Sequence, residues 1–374
     1  MGPSVLVVGA GPTGLTLACE LAGRGIPVTV IDGLAEPAPH SRALVVHSRT
    51  QELLQRSGLR DAVAENAIEI RGMALRRGSR TLSTVPFDLG RYPALSLPQV
   101  ATERVLARQL VARGGTIERG RTLTAITQSA DGVEAVADGE PFTADYVVGC
   151  DGARSTVRHL LGIPFEGHSL PETVWMADAH LTWDLAPDHV WQFLHRSGSM
   201  TVVPMPGGRW RLVTSHADCE QQQVSADYFV GALAQRAGIA FGDLDITWTS
   251  EFRVNCRLAA SYGRGRVLLA GDAAHIHSPI GGQGMNVGMQ DAFRLAADLA
   301  DDPTESPLNV LTRYEAARRP IAESVIRTNA RITRLAMARA PAKRFLRDRV
   351  MPSVLSLPPV ARKAGLAASA SFDH

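Results

Sequence analysis

Three glycines and an acid carry the first chemistry in this sequence. Gly9, Gly11 and Gly14 follow the apolar run Val5-Leu6-Val7-Val8, and Asp32 closes a second run, Val28-Thr29-Val30-Ile31. In a GxGxxG spacing the first glycine permits a tight turn, and the second lets a phosphate approach the backbone. The third lets a helix pack closely on a strand. Pro12 and Thr13 open that helix, whose free N–H groups and positive dipole end suit a pyrophosphate. Asp32, 21 residues after Gly11, is placed to accept a ribose hydroxyl. The reading is strand, turn, helix, strand, with a dinucleotide at the turn.

Two later stretches also end a buried run in a glycine and an acid. Tyr146-Val147-Val148-Gly149-Cys150 leads into Asp151-Gly152, and Val267-Leu268-Leu269-Ala270 leads into Gly271-Asp272. Ligands of an open α/β sheet bind beyond the carboxyl ends of its strands, where these acids fall. Asp151 also fits a plain helix cap beside a turn glycine, and both readings stay open. Pro279-Ile280-Gly281-Gly282-Gln283-Gly284-Met285-Asn286 then opens a helix running to about Asp301. Its glycines let backbone N–H groups and the helix dipole face a partly negative ring or a phosphate. Met285, Met289, Phe293 and Ala296 form that helix's packed stripe. Arg42, in the loop after the second strand, either reaches a phosphate or cofactor ring or is a solvated loop arginine.

The elements that position these residues follow from pattern and punctuation. A helix is expected from Ser48 as N-cap to near Gly58, and another from Thr102 as N-cap to Ala112. Short strands are expected over 73–75, 82–87, 116–118, 122–128 and 132–137, with Asp131-Gly132 as a hairpin turn. Residues 166–261 differ in texture. All five tryptophans fall there, alternating runs read as antiparallel strands, and Pro206-Gly207-Gly208 reads as a hairpin turn. Their aromatic residues serve either as ordinary core or as walls of a pocket for a flat ligand. From Leu308 the chain reads as helical, interrupted by Pro320, Pro341, Pro352 and Pro358-Pro359, with its arginines on a solvated face rather than on a membrane.

The expected fold class is α/β: a Rossmann-like nucleotide-binding domain with an inserted β-sheet substrate domain and a C-terminal helical segment. The nucleotide domain takes residues 1–72, 97–165 and 262–302, the β-rich domain 73–96 and 166–261, and the helices 303–374. With 374 residues, 45% hydrophobic and 20% charged, the chain has room for two or three cores. A net charge of +2 points to no strongly charged partner and no nucleic acid. Of 39 basic residues only Lys343 and Lys363 are lysine, so arginine clusters carry little meaning. Cys19, Cys150, Cys219 and Cys256 form no CxxC and no metal spacing, which fits a reducing, cytoplasmic setting without a metal. The apolar N-terminus lacks a basic leader, and no stretch reaches the roughly 18 apolar residues of a membrane span.

Taken together, Gly9-x-Gly11-x-x-Gly14 with Asp32, Asp151-Gly152, Gly271-Asp272, the loop from Pro279 to Asn286, Arg42-Ala43 and Gln99 resemble one family. It is the FAD-dependent monooxygenases of the aromatic hydroxylase type, the p-hydroxybenzoate hydroxylase fold group with the polyketide and phenol hydroxylases. The resemblance covers about residues 1–335. It implies that Asp32 holds the adenosine ribose, that Leu123 meets the adenine through its backbone, and that Arg42 and Gln99 contact the flavin nucleotide. Asp272 would hold the ribityl or pyrophosphate region, and Asp151-Gly152 would serve FAD and the pyridine nucleotide. Pro279 with Gly282, Gly284, Met285 and Asn286 would border the isoalloxazine.

The same resemblance implies non-covalent FAD, NADH or NADPH as a transient reductant, and O₂. A flavin hydroperoxide would pass one oxygen to an aromatic or polyketide-like ring. Only one complete dinucleotide fingerprint is present, so no second Rossmann domain is expected for the reductant. Asp32 stands where many members have Glu. The sequence stops about where longer members carry a thioredoxin-like domain, and so resembles the shorter ones. A flavin halogenase would need a catalytic lysine and a Trp-x-Trp-x-Ile-Pro motif, both missing. The alternative is an FAD-dependent reductase or dehydrogenase without oxygen insertion. No catalytic side chain is assigned; His180 or His195 would serve as a base, or each is an ordinary residue.

Overall fold

The computed structural model describes residues 3–87, 89–216, 224–279, 281–302, 304–336, 342 and 345–368, so Cys219, Ile280 and Lys343 lie outside the described residues. Unbroken apolar runs make strands buried on both faces, which calls for a parallel sheet covered by helices. Such a sheet forms in the order β18 (Gly263–Arg264), β19 (Val267–Leu269), β12 (Tyr146–Gly149), β1 (Val5–Val8), β2 (Val28–Asp32) and β8 (Thr116–Arg119). All its pairings are parallel except that of the short β18. From β1 the chain passes through α1 (Pro12–Gly23) to β2 on one side. It reaches β12 on the other side only after a long excursion. The strand order reverses at β1, and a crevice opens beyond the carboxyl ends of β1 and β12.

The second sheet has eight strands. Their order is β20 (His275–Ile276), β17 (Leu244–Ala259), β13 (Phe165–Leu181), β16 (Arg209–His216), β15 (Gly198–Met205), β14 (His189–His195), β5 (Gly72–Arg77) and β6 (Arg80–Pro86). One face is covered by α6 (Ala226–Ala237), where Trp175, Trp191, Phe193, Met200 and Trp210 pack with Phe229 and Leu233. The opposite face meets the first half of the chain, as Val190, Val203 and Met205 pack on Leu44 and Ile70. Two three-stranded sheets complete the β structure. One is β11 (Glu140–Ala144), β10 (Val133–Ala137) and β9 (Leu123–Gln128). The other is β3 (Val45–Val46), β7 (Ala94–Ser96) and β4 (Ile68–Ile70).

The remaining helices are α2 (Ser48–Arg56), α3 (Arg60–Ala64), α4 (Gln99–Ala112), α5 (Thr156–Leu160), α7 (Gly284–Asp301) and α8 (Pro307–Ala336). Two of their starts differ from expectation. His47, not Ser48, caps α2, because the Ser48 hydroxyl is engaged elsewhere, accepting from Tyr92 N at 3.1 Å. α4 begins at Gln99 rather than after Thr102, since the Pro98 carbonyl already accepts from Thr102 N. Gln99 therefore stands at a helix N-terminus.

α8 also runs straight through Pro320. A proline inside a helix costs about 3 kcal/mol, offset here by the buried Val310, Tyr314, Ala322 and Val325. The arginines of this end are not uniformly solvated: Arg318 and Arg347 are buried. Helices Met351–Leu355 and Pro358–Ala368 lie on the β5–β6 edge, with Met351, Leu355 and Ala364 against Leu75 and Val85. Among the described residues no helix is long and apolar enough to cross a membrane, and no group of His, Cys, Asp and Glu could hold a metal.

Candidate active site

The first glycine turn is glycine for two different reasons. A Cβ on Gly9 (φ +111°) would fall 2.4 Å from Cys150 O, and one on Gly14 would fall 2.0 Å from Gly9 O. Both positions are dictated by close packing of turn, strand and helix. Gly11 caps α1 with an ordinary φ of −79°, and no atom lies within 4 Å of its absent Cβ. Nothing in the protein itself calls for glycine there. Its missing side chain opens the N–H groups at the start of α1 to the crevice, which suits a pyrophosphate.

Asp32, half-buried at the end of β2, ties the turn together. Its Oδ2 accepts from Ala10 N at 2.7 Å and its Oδ1 from Leu34 N at 2.8 Å. Each carboxylate oxygen keeps a further lone pair for a hydroxyl. Gly33, the next residue, lies against Thr122, which places the buried Leu123 at the start of β9 beside this end of the crevice.

The ends of β12 and β19 converge on the same place. Asp151 Oδ2 accepts from Val157 N at 3.1 Å, while its Oδ1 is buried without a hydrogen-bond partner. Burial pushes the Asp151 carboxyl above its ordinary range, opposed by hydrogen bonds from Ser155 and the α5 amides. Ser155 is the cap of α5 proper, accepting from Arg158 N at 2.9 Å. Gly152 has φ +78° and open space around it. Arg158 joins the two acidic turns by donating to Ala153 O at 2.9 Å and Ala273 O at 2.8 Å. Asp272 keeps an exposed surface, and desolvation by the surrounding protein raises its carboxyl, with His275 opposing the rise and Asp291 adding to it.

Beneath Gly271 lies a charged cluster that the sequence reading missed. Asp291 of α7 is fully buried. It accepts from His275 Nε2 at 2.6 Å, Arg318 Nε at 2.7 Å and Gly271 N at 3.2 Å. Burial alone would raise the Asp291 carboxyl, but His275 and Arg318 outweigh it and hold it below the ordinary range. An acid inside the otherwise apolar stripe of α7 was the available signal.

The glycine loop before α7 is fastened to the residues around Arg42. Asn286 Oδ1 accepts from His47 N at 2.8 Å, and its Nδ2 donates to Val45 O at 2.8 Å and Gly282 O at 2.9 Å. His47 Nε2 donates to Gly281 O at 2.9 Å, since a carbonyl only accepts. Burial lowers the His47 ring to about 4, so it is neutral at neutral pH. On the other side, Asn329 Nδ2 of α8 donates to Gln283 Oε1 at 3.1 Å, and His277 Nδ1 donates to Ser278 O at 2.9 Å. Gln99 N donates to Ala43 O at 3.1 Å. Gln99, Gly282 and Asn286 therefore meet the segment 42–47, which contains Arg42, while Gly284 and Met285 follow at the start of α7 and Pro279 is exposed.

The eight-stranded sheet reaches this segment too. Arg211 Nη1 donates to Arg42 O at 2.6 Å, and its buried guanidinium pairs with Asp178 at 2.7 and 2.8 Å. The Arg42 head group lies 4.7 Å above the Phe252 ring, and His40 stacks on Trp248 at 5.2 Å. Of the tryptophans, Trp248 is the one on this face. Trp175, Trp191 and Trp210 are buried under α6, and Trp183 packs against them, because strand alternation points them away. Of the two uses open to these aromatic residues, core or pocket wall, these four tryptophans take core packing. His180 is exposed on β13, and His195 bonds Ser197 at the far hairpin. Neither histidine is among the residues gathered at 42–47.

A doubly wound sheet with this crevice is the architecture of a dinucleotide-binding protein. A family profile described as "FAD binding domain" matches residues 3–329, and the chain belongs to that family. It is 38% identical over 375 residues to the 12-dehydrotetracycline 5-monooxygenase/anhydrotetracycline 6-monooxygenase of Streptomyces rimosus, spanning 96% of this chain and 74% of that protein. A rifampicin monooxygenase of Streptomyces venezuelae is 37% identical, over 96% of this chain and 76% of its own. The solved OxyS anhydrotetracycline hydroxylase from Streptomyces rimosus superposes with a TM-score of 0.80 at 36% identity, covering 100% of this chain and 77% of that one. The chain is an FAD-dependent monooxygenase of the aromatic hydroxylase type.

Proposed function

We propose that the protein uses NADH or NADPH and O₂ to hydroxylate an aromatic, polyketide-like ring. The observation that supports the cofactor half of this reading is Gly11, whose absent side chain leaves open space at the N-terminus of α1, and the similarity to named monooxygenases supports the rest. The crevice offers groups that fit FAD, with Thr13 and the α1 amides for the pyrophosphate and Asp32 for the adenosine ribose. Leu123 lies toward the adenine. Asp151, Gly152, Gly271 and Asp272 line the middle of the cofactor, and Arg42, Gln99, Pro279, Gly282, Gly284, Met285 and Asn286 the flavin end. These residues would hold FAD, and the chemistry it would supply there is hydride acceptance from the nicotinamide and activation of O₂ for transfer to the ring.

The chain's own part is position and dryness. The segment 42–47 and the loop 281–286 are fixed to each other by Asn286 and His47, so the two walls of the flavin end keep one spacing. Arg211 and Asp178 hold Arg42 against the sheet. Val203, Met205 and Val190 give that side an apolar cover, which keeps water from the reacting centre. In this reading residues 1–72, 97–165 and 262–302 hold the cofactor and 73–96 with 166–261 hold the substrate.

The test is oxygen use. Nicotinamide oxidation is followed with a phenolic or polyketide ring present, under isotopically labelled oxygen and under nitrogen. Label in the product supports hydroxylation. Unchanged turnover under nitrogen would assign a dehydrogenase instead.

A further inference from the structure

Glu103 has no place in the site described above. It lies one turn beyond Gln99 on α4, a spacing that puts the two side chains on one helix face, and it is buried. Gln99 Nε2 donates to Glu103 Oε1 at 2.8 Å. The charged groups facing Glu103 from neighbouring elements are Asp32 at the end of β2 and Arg119 at the end of β8, which pair directly across the sheet. An ionised carboxylate only accepts hydrogen bonds, whereas a side-chain amide accepts at one end and donates at the other. An ionised Glu103 therefore takes only the NH₂ end of Gln99.

We propose that Glu103 is a positioning residue that locks the Gln99 amide with its carbonyl oxygen presented to the cofactor, so that Gln99 receives a ribityl or ribose hydroxyl rather than a phosphate oxygen. The proposal rests on the reading of Gln99 as a cofactor contact. Orientation then follows ionisation. A protonated Glu103 carries an O–H that can donate to Gln99 Oε1, and the flipped amide would offer its NH₂ group instead. Burial raises the Glu103 carboxyl, with Asp32 adding to the rise and the Gln99 bond and Arg119 opposing it. The productive orientation is present while Glu103 is ionised and is lost as pH falls through that raised value.

The experiment measures FAD affinity of the full chain by flavin fluorescence across about pH 5 to 8. Wild type is expected to weaken on acidification. Q99L should bind about tenfold more weakly at neutral pH, the size of one hydrogen bond, with a flatter acid profile. E103Q should be about fivefold weaker and equally flat, and Q99L/E103Q no weaker than Q99L alone. E103Q matching wild type in affinity and acid profile, while Q99L weakens, would overturn the proposal. So would additive losses in the double variant, because Glu103 would then act independently of Gln99. Full affinity in Q99L would show that Gln99 does not touch the cofactor, and the underlying reading would fail with it. If melting shows E103Q unfolded, the wild-type and Q99L acid profiles decide alone: identical slopes overturn the proposal.

Discussion

A Cβ on Gly288 would fall 2.4 Å from Thr13 Oγ1, and one on Gly271 would fall 2.5 Å from the same oxygen. The first turn of α1, the turn after β19 and the helix α7 thus meet at one hydroxyl. Gly288→Ala should cost about 1–3 kcal/mol through overpacking and weaken FAD binding. Thr13→Ala in the same chain should restore most of the stability but not the FAD affinity, because Thr13 is itself assigned to the pyrophosphate. Urea unfolding with and without FAD reads the first effect, and flavin fluorescence titration the second.

Gly11 and Gly14 should separate cleanly. Gly11→Ala meets no protein atom, so its stability without cofactor should stay within about 0.5 kcal/mol of wild type, the usual range for a harmless surface change. Its FAD affinity should fall at least about tenfold if the methyl group stands in the path of the pyrophosphate. Gly14→Ala drives a Cβ into the Gly9 carbonyl and should lose several kcal/mol of stability. Paired melting curves of apoprotein and holoprotein distinguish the two.

Removing the acid beneath the Gly271 turn leaves Arg318 buried without its carboxylate. Asp291→Asn should therefore cost about 3–5 kcal/mol, read by denaturant titration. The folded Asp291 carboxyl lies below its ordinary value, so its contribution is full above about pH 4 and is lost as pH falls further. The acid-unfolding limb of Asp291→Asn should accordingly be shallower than that of wild type.

His47 acts at milder acidity. Its ring is lowered from 6.5 to about 4, so the folded state resists a proton that the unfolded chain accepts. Stability should fall by about 3 kcal/mol between about pH 6.5 and 4 and then level off, since one extra proton taken up on unfolding is worth about 1.4 kcal/mol per pH unit. His47→Gln, which keeps a donor for Gly281 O, should remove that segment of the profile. Chemical unfolding at a series of pH values checks it.

The glycine turn, Asp32 and the strand ends at Asp151 and Gly271 were readable because each is written in a dozen neighbouring residues. The bond from His47 to Asn286 spans 239 positions, and that from Arg211 to Arg42 spans 169. No local pattern announces such partners. The tryptophans show another limit. Alternation marks two faces of a strand but does not say which one α6 will cover, and Trp175 and Trp210 went to the covered side. One helix start failed because a hydroxyl had a partner outside its helix, Ser48 with Tyr92, and the other because the Pro98 carbonyl already began the helix ahead of Thr102. Glu103 was within reach of the rule that residues four apart on a helix touch.

β1 lies between β2 and β12, and β12 lies beside β19. During synthesis, at roughly 5–20 residues per second, the first strand therefore emerges long before the neighbour that closes its other edge. The crevice cannot exist until Leu269 has left the ribosome, and fragments ending earlier would expose an apolar strand edge. FAD can grip only the finished fold, and a ligand bound only by the native state adds stability that grows with the logarithm of its concentration. A larger supply of free FAD should thus hold more of the finished chain in its native state, before any substrate is met.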